Sequence, residues 1–279
     1  NRVSIFYSSG WLAICFGNLT ISLFPEETKR IIYLRQIAAS TLDPAFSSDH
    51  YSSEVLANIF EGLVRIAKDG KKIEPCLATS WEIQENGLRW IFIIRKNVLF
   101  HNGAPLTAEV IAHSFREIRS GTGLSGISGA LGQINSQVEK ISIVAPMKIA
   151  FVLKKPNALL LYALSDTSAS IRFPSAKHGA DYIPIGTGPF KFEKWEKGKR
   201  VVLSRNSRYW EHSVAIEKVI FSTVEDSQWR VKQLKNQQAD LSIIGSTGES
   251  DQLQGNRELD FMTFQSKDVF FIAFNMKSE

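Results

Sequence analysis

Hydrophobic and polar positions along this chain follow periods that change from segment to segment, and each change marks an element. Ile31-Ile32-Tyr33-Leu34 is a short continuous apolar run, the pattern of a buried strand. Asp43-Pro44 then punctuates the chain. Beyond Ser52 and Ser53, either of which can cap a helix, Val55, Leu56, Ile59, Phe60 and Leu63 recur at spacings of three and four. That spacing predicts an amphipathic helix with a natural stop near Gly62.

The clearest local signal is a hairpin. Trp81 to Gln84 leads into Glu85-Asn86-Gly87, and Leu88 to Arg95 leads out with Leu88, Trp90, Phe92 and Ile94 on one face. Asn-Gly supplies the positive backbone angles of a tight turn, and Trp81 and Trp90 can pack across the hairpin. His101 to Pro105 reads as a turn, after which Thr107 caps a helix carrying Val110, Ile111, Phe115 and Ile118, with Glu109 in its first turn. A glycine-rich loop follows from Gly121 to Gly129.

Further strands are predicted over 138–144, 148–153, 190–195, 200–205 and 218–224. A helix over 226–238, with Trp229 and Leu234 inward, precedes a strand over 241–244, and a last strand covers 269–275. Hairpins with interspersed helices imply a mixed α/β architecture and exclude a strict βαβ repeat.

Composition narrows the class. With 44% apolar and 22% charged residues, the 279-residue chain is neither disordered nor collagen-like nor wholly membrane-embedded, and its length suits one large or two ordinary domains. The net charge of +5 is not concentrated in any stretch, so no nucleic-acid partner is expected. Arg2 precedes an uncharged run from Ile5 to Phe24, and charges resume at Glu26, so residues 1–25 are expected to be an export signal or membrane anchor. Leu12-Ala13-Ile14-Cys15 stands where a lipoprotein acceptor cysteine would, although Ile14 is larger than such sites carry, and a buried or discarded Cys15 is the other reading.

Catalytic patterns are missing. The Gly121 to Gly129 loop follows a helix rather than a strand and has no Gly-Lys-Ser/Thr ending, so it does not read as a nucleotide cradle. The five histidines show no metal-ligand spacing, the two cysteines no zinc or disulfide framework, and no G-x-S-x-G elbow occurs. Neither a cofactor nor a metal is expected. A well-patterned chain with an export segment and no catalytic constellation favours a binding protein.

Several blocks carry a resemblance. They are Leu42-Asp43-Pro44-Ala45, Ile59 to Val64 (IFEGLV), Ile73 to Trp81 (IEPCLATSW), Leu88 to Arg95, Phe100 to Glu109 (FHNGAPLTAE), Ile185 to Phe192 (IGTGPFKF) and Arg205 to Trp210 (RNSRYW). In order and spacing the chain from Lys29 to Asn275 resembles the bacterial extracellular solute-binding proteins of family 5, which serve oligopeptide, dipeptide and nickel ABC transporters. Gly186-Thr187-Gly188-Pro189 has a physical reading too, since it permits a close backbone approach that larger side chains would block.

The resemblance implies a periplasmic-binding-protein-like fold of the large type II class (cluster C), a two-lobed clamp closing on its ligand. Family members run to roughly twice this length, so the expectation is the amino-terminal lobe with the closing lobe absent. Within it, residues 26–50 and 182–279 would form a core subdomain and residues 51–181 an insertion. The implied function is capture of oligopeptides or dipeptides for an ABC importer, by an exported monomer without enzymatic activity. Its partners would be a peptide ligand and the permease subunits. A non-transporting remnant or interaction module, and a nickel-chelate or haem binder, are the alternatives. Cleft-facing positions carried over from the family are Tyr51, Ser52, Ser53, Leu124, Ser125 and Asn275, with Arg172 where nickel binders place an arginine near the chelate. The acidic residue and aromatics that fix a peptide's amino terminus belong to the other lobe.

Overall fold

The structure is a computed structural model that describes residues 3–7, 30–67, 70–119, 129–174, 182–244, 247–256 and 259–263. Three sheets carry it. In the largest, β1 (Val3–Tyr7), β2 (Arg30–Arg35), β9 (Phe190–Glu196), β10 (Arg200–Arg205), β11 (Lys218–Thr223), β12 (Leu241–Ile244) and β13 (Leu259–Thr263) lie in the order β13-β1-β12-β2-β11-β10-β9. Strands β13, β1, β12, β2 and β11 run parallel, and β10 and β9 close the edge as an antiparallel hairpin. The second sheet is antiparallel in the order β5 (Ala78–Gln84), β6 (Arg89–Ile94), β8 (Lys148–Leu153), β7 (Val138–Ala145), and β3 (Val64–Ile66) pairs with β4 (Ile73–Pro75) in the third.

β1 departs from the sequence expectation. The start of the uncharged run, Ile5-Phe6-Tyr7, is strand, held between β12 and β13 as the β-propensity of Val, Ile, Phe and Tyr allows. The rest of that run, Cys15 included, lies outside the described residues, as do the glycine loop over 120–128 and the strand expected over 269–275. Among the described residues no helix is long and apolar enough to cross a membrane.

Apolar side chains gather in separate clusters. One joins the four-stranded sheet to α2 (Ala108–Arg119), α3 (Gly129–Gln137) and α4 (Leu160–Leu164) through Phe92, Phe115, Ile134, Phe151 and Leu160, all at most 2% exposed. A second packs α1 (His50–Ile59) on the larger sheet, with Val55, Leu56 and Ile59 against Ile31, Tyr33, Phe190 and Phe221. A smaller third joins β2 to α5 (Ser227–Lys235) and α6 (Thr247–Leu253) through Leu34, Val231, Leu234 and Leu253. Thus α1, which the resemblance places at the start of the insertion, packs on the larger sheet.

Local chemistry sets most element ends, with differences from the sequence reading. The cap of α1 is Asp49 rather than Ser52 or Ser53, its carboxylate accepting from the Ser52 N–H at 2.7 Å. The helix stops at Ile59, so Leu63 enters the other core from outside it. Gly62 lies beyond that end, where a Cβ would stand 2.8 Å from the Leu164 carbonyl. Thr107 does cap α2, accepting from the Val110 N–H at 3.3 Å. The β5–β6 hairpin turns with φ of 53° at Asn86 and 90° at Gly87, as Asn-Gly predicts. Across it Trp81 faces Phe92, not Trp90, because the register sets Trp90 opposite Ile83, and the Trp90 indole N–H donates to the Gly87 carbonyl instead.

In α5 the sequence reading places Trp229 inward, yet it is 44% exposed. Arg230 takes the inward position, donating to the Val224 and Glu225 carbonyls and lying 3.5 Å from Glu249. The helix is rotated so that this buried, paired guanidinium and Leu234 face the core.

Candidate functional site

In an open sheet with parallel strands the carboxyl ends of the strands are the natural place for a ligand, because loops there diverge and leave a crevice. Here β2 ends at Arg35 and its parallel neighbour β11 at Thr223. The residues that follow, Gln36 to Ser40 and Thr223 with Glu225, line an open concavity of about 490 Å³, closed on another side by Lys197 and Gly198 of the β9–β10 turn. Backbone bonds hold its walls: Val224 N–H to the Arg35 carbonyl at 2.8 Å, Thr223 N–H to the Lys199 carbonyl at 2.7 Å, and Lys199 N–H to the Glu196 carbonyl at 2.8 Å.

The floor is different. The main chain of Gln36, Ile37, Ala38 and Ala39 makes no hydrogen bond to any described residue, and Ile37 is 49% exposed. Gln36 and Ile37 are exposed and Ala38 half-buried, so these three offer amide donors and carbonyl acceptors, whereas Ala39 is packed into the core. Bonding resumes at Ser40, whose N–H donates to the Ser52 hydroxyl at 2.9 Å and whose hydroxyl donates to Asp49 at 2.7 Å.

Beneath the floor lies a buried polar cluster. Arg35, 1% exposed, donates to the Tyr51 carbonyl, lies 3.4 Å from Glu54 and sits over the Phe221 ring. Glu54 also accepts from the Tyr33 hydroxyl at 3.1 Å and faces His50 at 3.1 Å. Burial, and then Glu54, push the Tyr33 hydroxyl well above its ordinary pKa, so Tyr33 serves as a donor. Burial would raise the Asp49 carboxyl, but hydrogen bonds from Ser40 and Ser52 prevail and hold it below its ordinary value. That keeps the first turn of α1 fastened to the loop.

A second polar centre joins the two larger cores. The carboxylate of Glu61 accepts from Thr187 at 2.6 Å, Tyr209 at 2.8 Å and the Trp210 indole at 2.9 Å. Arg65 makes two bonds to Glu211, at 2.6 and 2.8 Å, and a third to Glu74 at 2.7 Å. The Arg65 bonds pull the Glu211 carboxyl below its ordinary pKa, whereas burial pushes Glu61 up. Cys76 lies here too; burial raises its thiol well above the ordinary value, which makes it a packing residue rather than a nucleophile. Nearby, His101 bonds the glycine turn with both ring nitrogens, Nε2 to the Gly188 carbonyl at 3.0 Å and Nδ1 accepting from the Gly186 N–H at 3.3 Å. That arrangement needs a neutral ring with its proton on Nε2, and burial lowers its pKa to about 4.

The residues carried over from the family resemblance fall in three places. Tyr51, Ser52 and Ser53 share the first turn of α1 behind the concavity: Tyr51 accepts from Arg35 through its carbonyl, Ser52 is buried against Ser40 and Asp49, and Ser53 meets the Ser47 hydroxyl at 3.0 Å. Arg172 is apart from them, 2% exposed, donating to Asp43 at 3.1 Å and to the Ser114 carbonyl at 3.4 Å. Leu124, Ser125 and Asn275 lie outside the described residues. Sequence reasoning missed Gln36 to Ala39, Lys197 and Glu225. The signal that could have found them is the loop after the first buried strand, once that strand is known to be parallel to its neighbour. Among the described residues no group of three His, Cys, Asp or Glu side chains could hold a metal.

Comparison with known proteins agrees with this architecture. The probable D,D-dipeptide-binding periplasmic protein DdpA of Escherichia coli K12 is 27% identical over 250 residues, covering 84% of this chain and 47% of that protein. The nickel-binding periplasmic protein of the same organism is 28% identical over 208 residues, covering 72% of this chain and 36% of its own length. The periplasmic binding protein DppA of Helicobacter pylori, solved in complex with the peptide STSA, superposes with a TM-score of 0.73 at 26% identity, covering 82% of this chain and 49% of that one. The chain thus spans between about a third and a half of the length of the relatives it matches, and over that part it has their mixed α/β fold. A sequence profile described as bacterial extracellular solute-binding proteins, family 5, middle region, matches residues 72–279. With that match over most of its length, the chain belongs to family 5 of the bacterial extracellular solute-binding proteins.

Proposed function

We propose that this chain forms one wall of a peptide-binding cleft in the substrate-binding component of an ABC importer, exported from the cell and delivering short peptides to the permease subunits. In this reading residues 26–50 and 182–279 form the subdomain that carries the concavity, with α1 packed on its sheet, and the rest of residues 51–181 forms the subdomain inserted into it. The observation that carries it is the unengaged and accessible main chain of Gln36 to Ala38 along the concavity floor. A peptide can meet such a strip with its own amides, so recognition does not depend on one side-chain sequence. Waters can fill what different side chains leave open. The names of the relatives, which include peptide and dipeptide binders, point the same way.

The test is a titration of the isotopically labelled chain with dipeptides and tripeptides at millimolar concentration, read by amide chemical shifts. Saturable shifts confined to Gln36–Ser40, Lys197–Gly198 and Thr223–Glu225 are expected. Unchanged spectra with every peptide, or shifts seen only with nickel-histidine, would reject the peptide reading.

A further inference from the structure

The strip of main chain on the concavity floor is fastened at both ends to the same turn of α1. At its start the buried Arg35 donates to the Tyr51 carbonyl and lies 3.4 Å from Glu54. At its end Ser40 is held twice: its N–H donates to the Ser52 hydroxyl at 2.9 Å, and its own hydroxyl donates to Asp49 Oδ2 at 2.7 Å. The Ser52 hydroxyl also accepts from the Thr41 N–H at 3.3 Å and donates to Asp49 Oδ2 at 2.7 Å. The two oxygens of Asp49 thus have different tasks. Oδ1 caps α1 through the Ser52 N–H, whereas Oδ2 ties that turn to Ser40. Ala39 pins the strip from below, and the helix is seated on the sheet by Val55, Leu56 and Ile59. Asp49, Ser52 and Glu54 themselves do not line the concavity.

We propose that Asp49 and Ser52 are positioning residues for ligand recognition: with Ser40 they form a clip that holds the main chain of Gln36 to Ala38 in the conformation a ligand meets. The inference rests on the peptide reading above. The strip makes no hydrogen bonds of its own to any described residue, so its shape comes from its two fastened ends. Each residue left to wander would have to be ordered again on binding, which weakens affinity. Because Asp49 and Ser52 stand behind the strip and not on the concavity, they act alike on every ligand that uses its amides and carbonyls. The clip therefore governs how tightly peptides bind and leaves the choice among peptide side chains unchanged.

The experiment separates the two tasks of Asp49. In Asp49→Ser a single hydroxyl remains, enough to cap α1 but too short to reach Ser40 as well. Ser40→Ala removes the same tie from the other side, and Ser40→Thr keeps the hydroxyl at an exposed position. Nitrogen relaxation of the labelled chain reads the strip without ligand, and shift titrations with Ala-Leu, Ala-Lys and Ala-Glu read affinity. Asp49→Ser and Ser40→Ala should lower the order parameters of Gln36, Ile37 and Ala38 from about 0.85 toward about 0.6. Both should weaken all the peptides by a common factor of about three- to ten-fold, while Ser40→Thr stays with the parent. Carbon shifts of residues 50–59 should remain helical throughout; if Asp49→Ser loses them, Ser40→Ala, which leaves the cap in place, decides. Unchanged order parameters in Ser40→Ala would overturn the inference. So would weaker binding with the strip still ordered, or weaker binding of one peptide alone, since the side chain would then act by direct contact. If the parent binds no peptide of the set, the peptide reading itself fails and the role in recognition falls with it.

Discussion

The joint between the two larger cores and the rim of the concavity are both rich in polar atoms, and they handle them in opposite ways. At the joint Glu61 is 9% exposed and takes three donors, two glycines press on the end of α1, and His101 uses both ring nitrogens on backbone partners. At the rim the main chain of Gln36, Ile37 and Ala38 and the two opposite charges of Lys197 and Glu225 have no partner among the described residues. A buried polar group without a partner costs about 1–3 kcal/mol, so the joint must satisfy its groups within the fold. Polar groups that remain open to water carry no such cost, and they stay available to a ligand. The contrast separates the residues that hold the lobe together from those that can recognise something.

The contrast predicts a ranked series of effects. Gly186→Ala should be the most damaging, because a Cβ there would stand 2.0 Å from the Ile59 carbonyl and backbone would have to move; a loss of about 3 kcal/mol or more is expected in urea unfolding. Glu61→Ala should cost about 3 kcal/mol, since it leaves Thr187, Tyr209 and Trp210 without their acceptor, whereas Glu61→Gln, which keeps one carbonyl, should cost less. A Glu61→Ala variant as stable as the parent would remove the joint from the argument.

His101 gives a test by pH. Its folded pKa is about 4 and its unfolded pKa about 6.5, so between those values the unfolded chain holds the extra proton. Stability is therefore fully present above about pH 6.5 and falls as pH drops toward 4, by up to about 3 kcal/mol across the window. Urea midpoints measured over that range should fall more steeply for the parent than for His101→Asn, and parallel curves would reject the neutral-ring reading.

At the rim the effects shrink. Gly198, on the concavity wall, has φ of 76° but open space around it, so Gly198→Ala should cost only about 1–2 kcal/mol of backbone strain. Lys197→Gln and Glu225→Gln should leave the unfolding free energy within about 0.5 kcal/mol of the parent, and a larger loss would place these charges in the folding network instead.

Legibility in the sequence follows the range of the interaction. The turn at Asn86-Gly87 could be read because it depends on neighbouring residues, and so could the Thr107 cap and the strands over 138–153 and 190–223. The helix α3, with sequence GALGQINSQ, could not, since its propensity is poor and Ile134 earns it a place only by packing in the core. The three-residue strands β3 and β4 are too short to show a period. Trp229 and Arg230 illustrate a conflict: periodicity favours burying the indole, and the pairing of Arg230 with Glu249 decides otherwise.

By itself the sequence determined the mixed α/β class, the family membership carried by its ordered blocks, and the local turns and caps, because each depends on residues close together in the chain. Where a ligand could sit was decided by the tertiary structure. Only the parallel alignment of β2 with β11, nearly two hundred residues apart, brings the loop after Arg35 beside Glu225, and the β9–β10 turn adds Lys197. No periodicity encodes that meeting, because it follows from long-range pairing of strands and from where their hydrogen bonds stop.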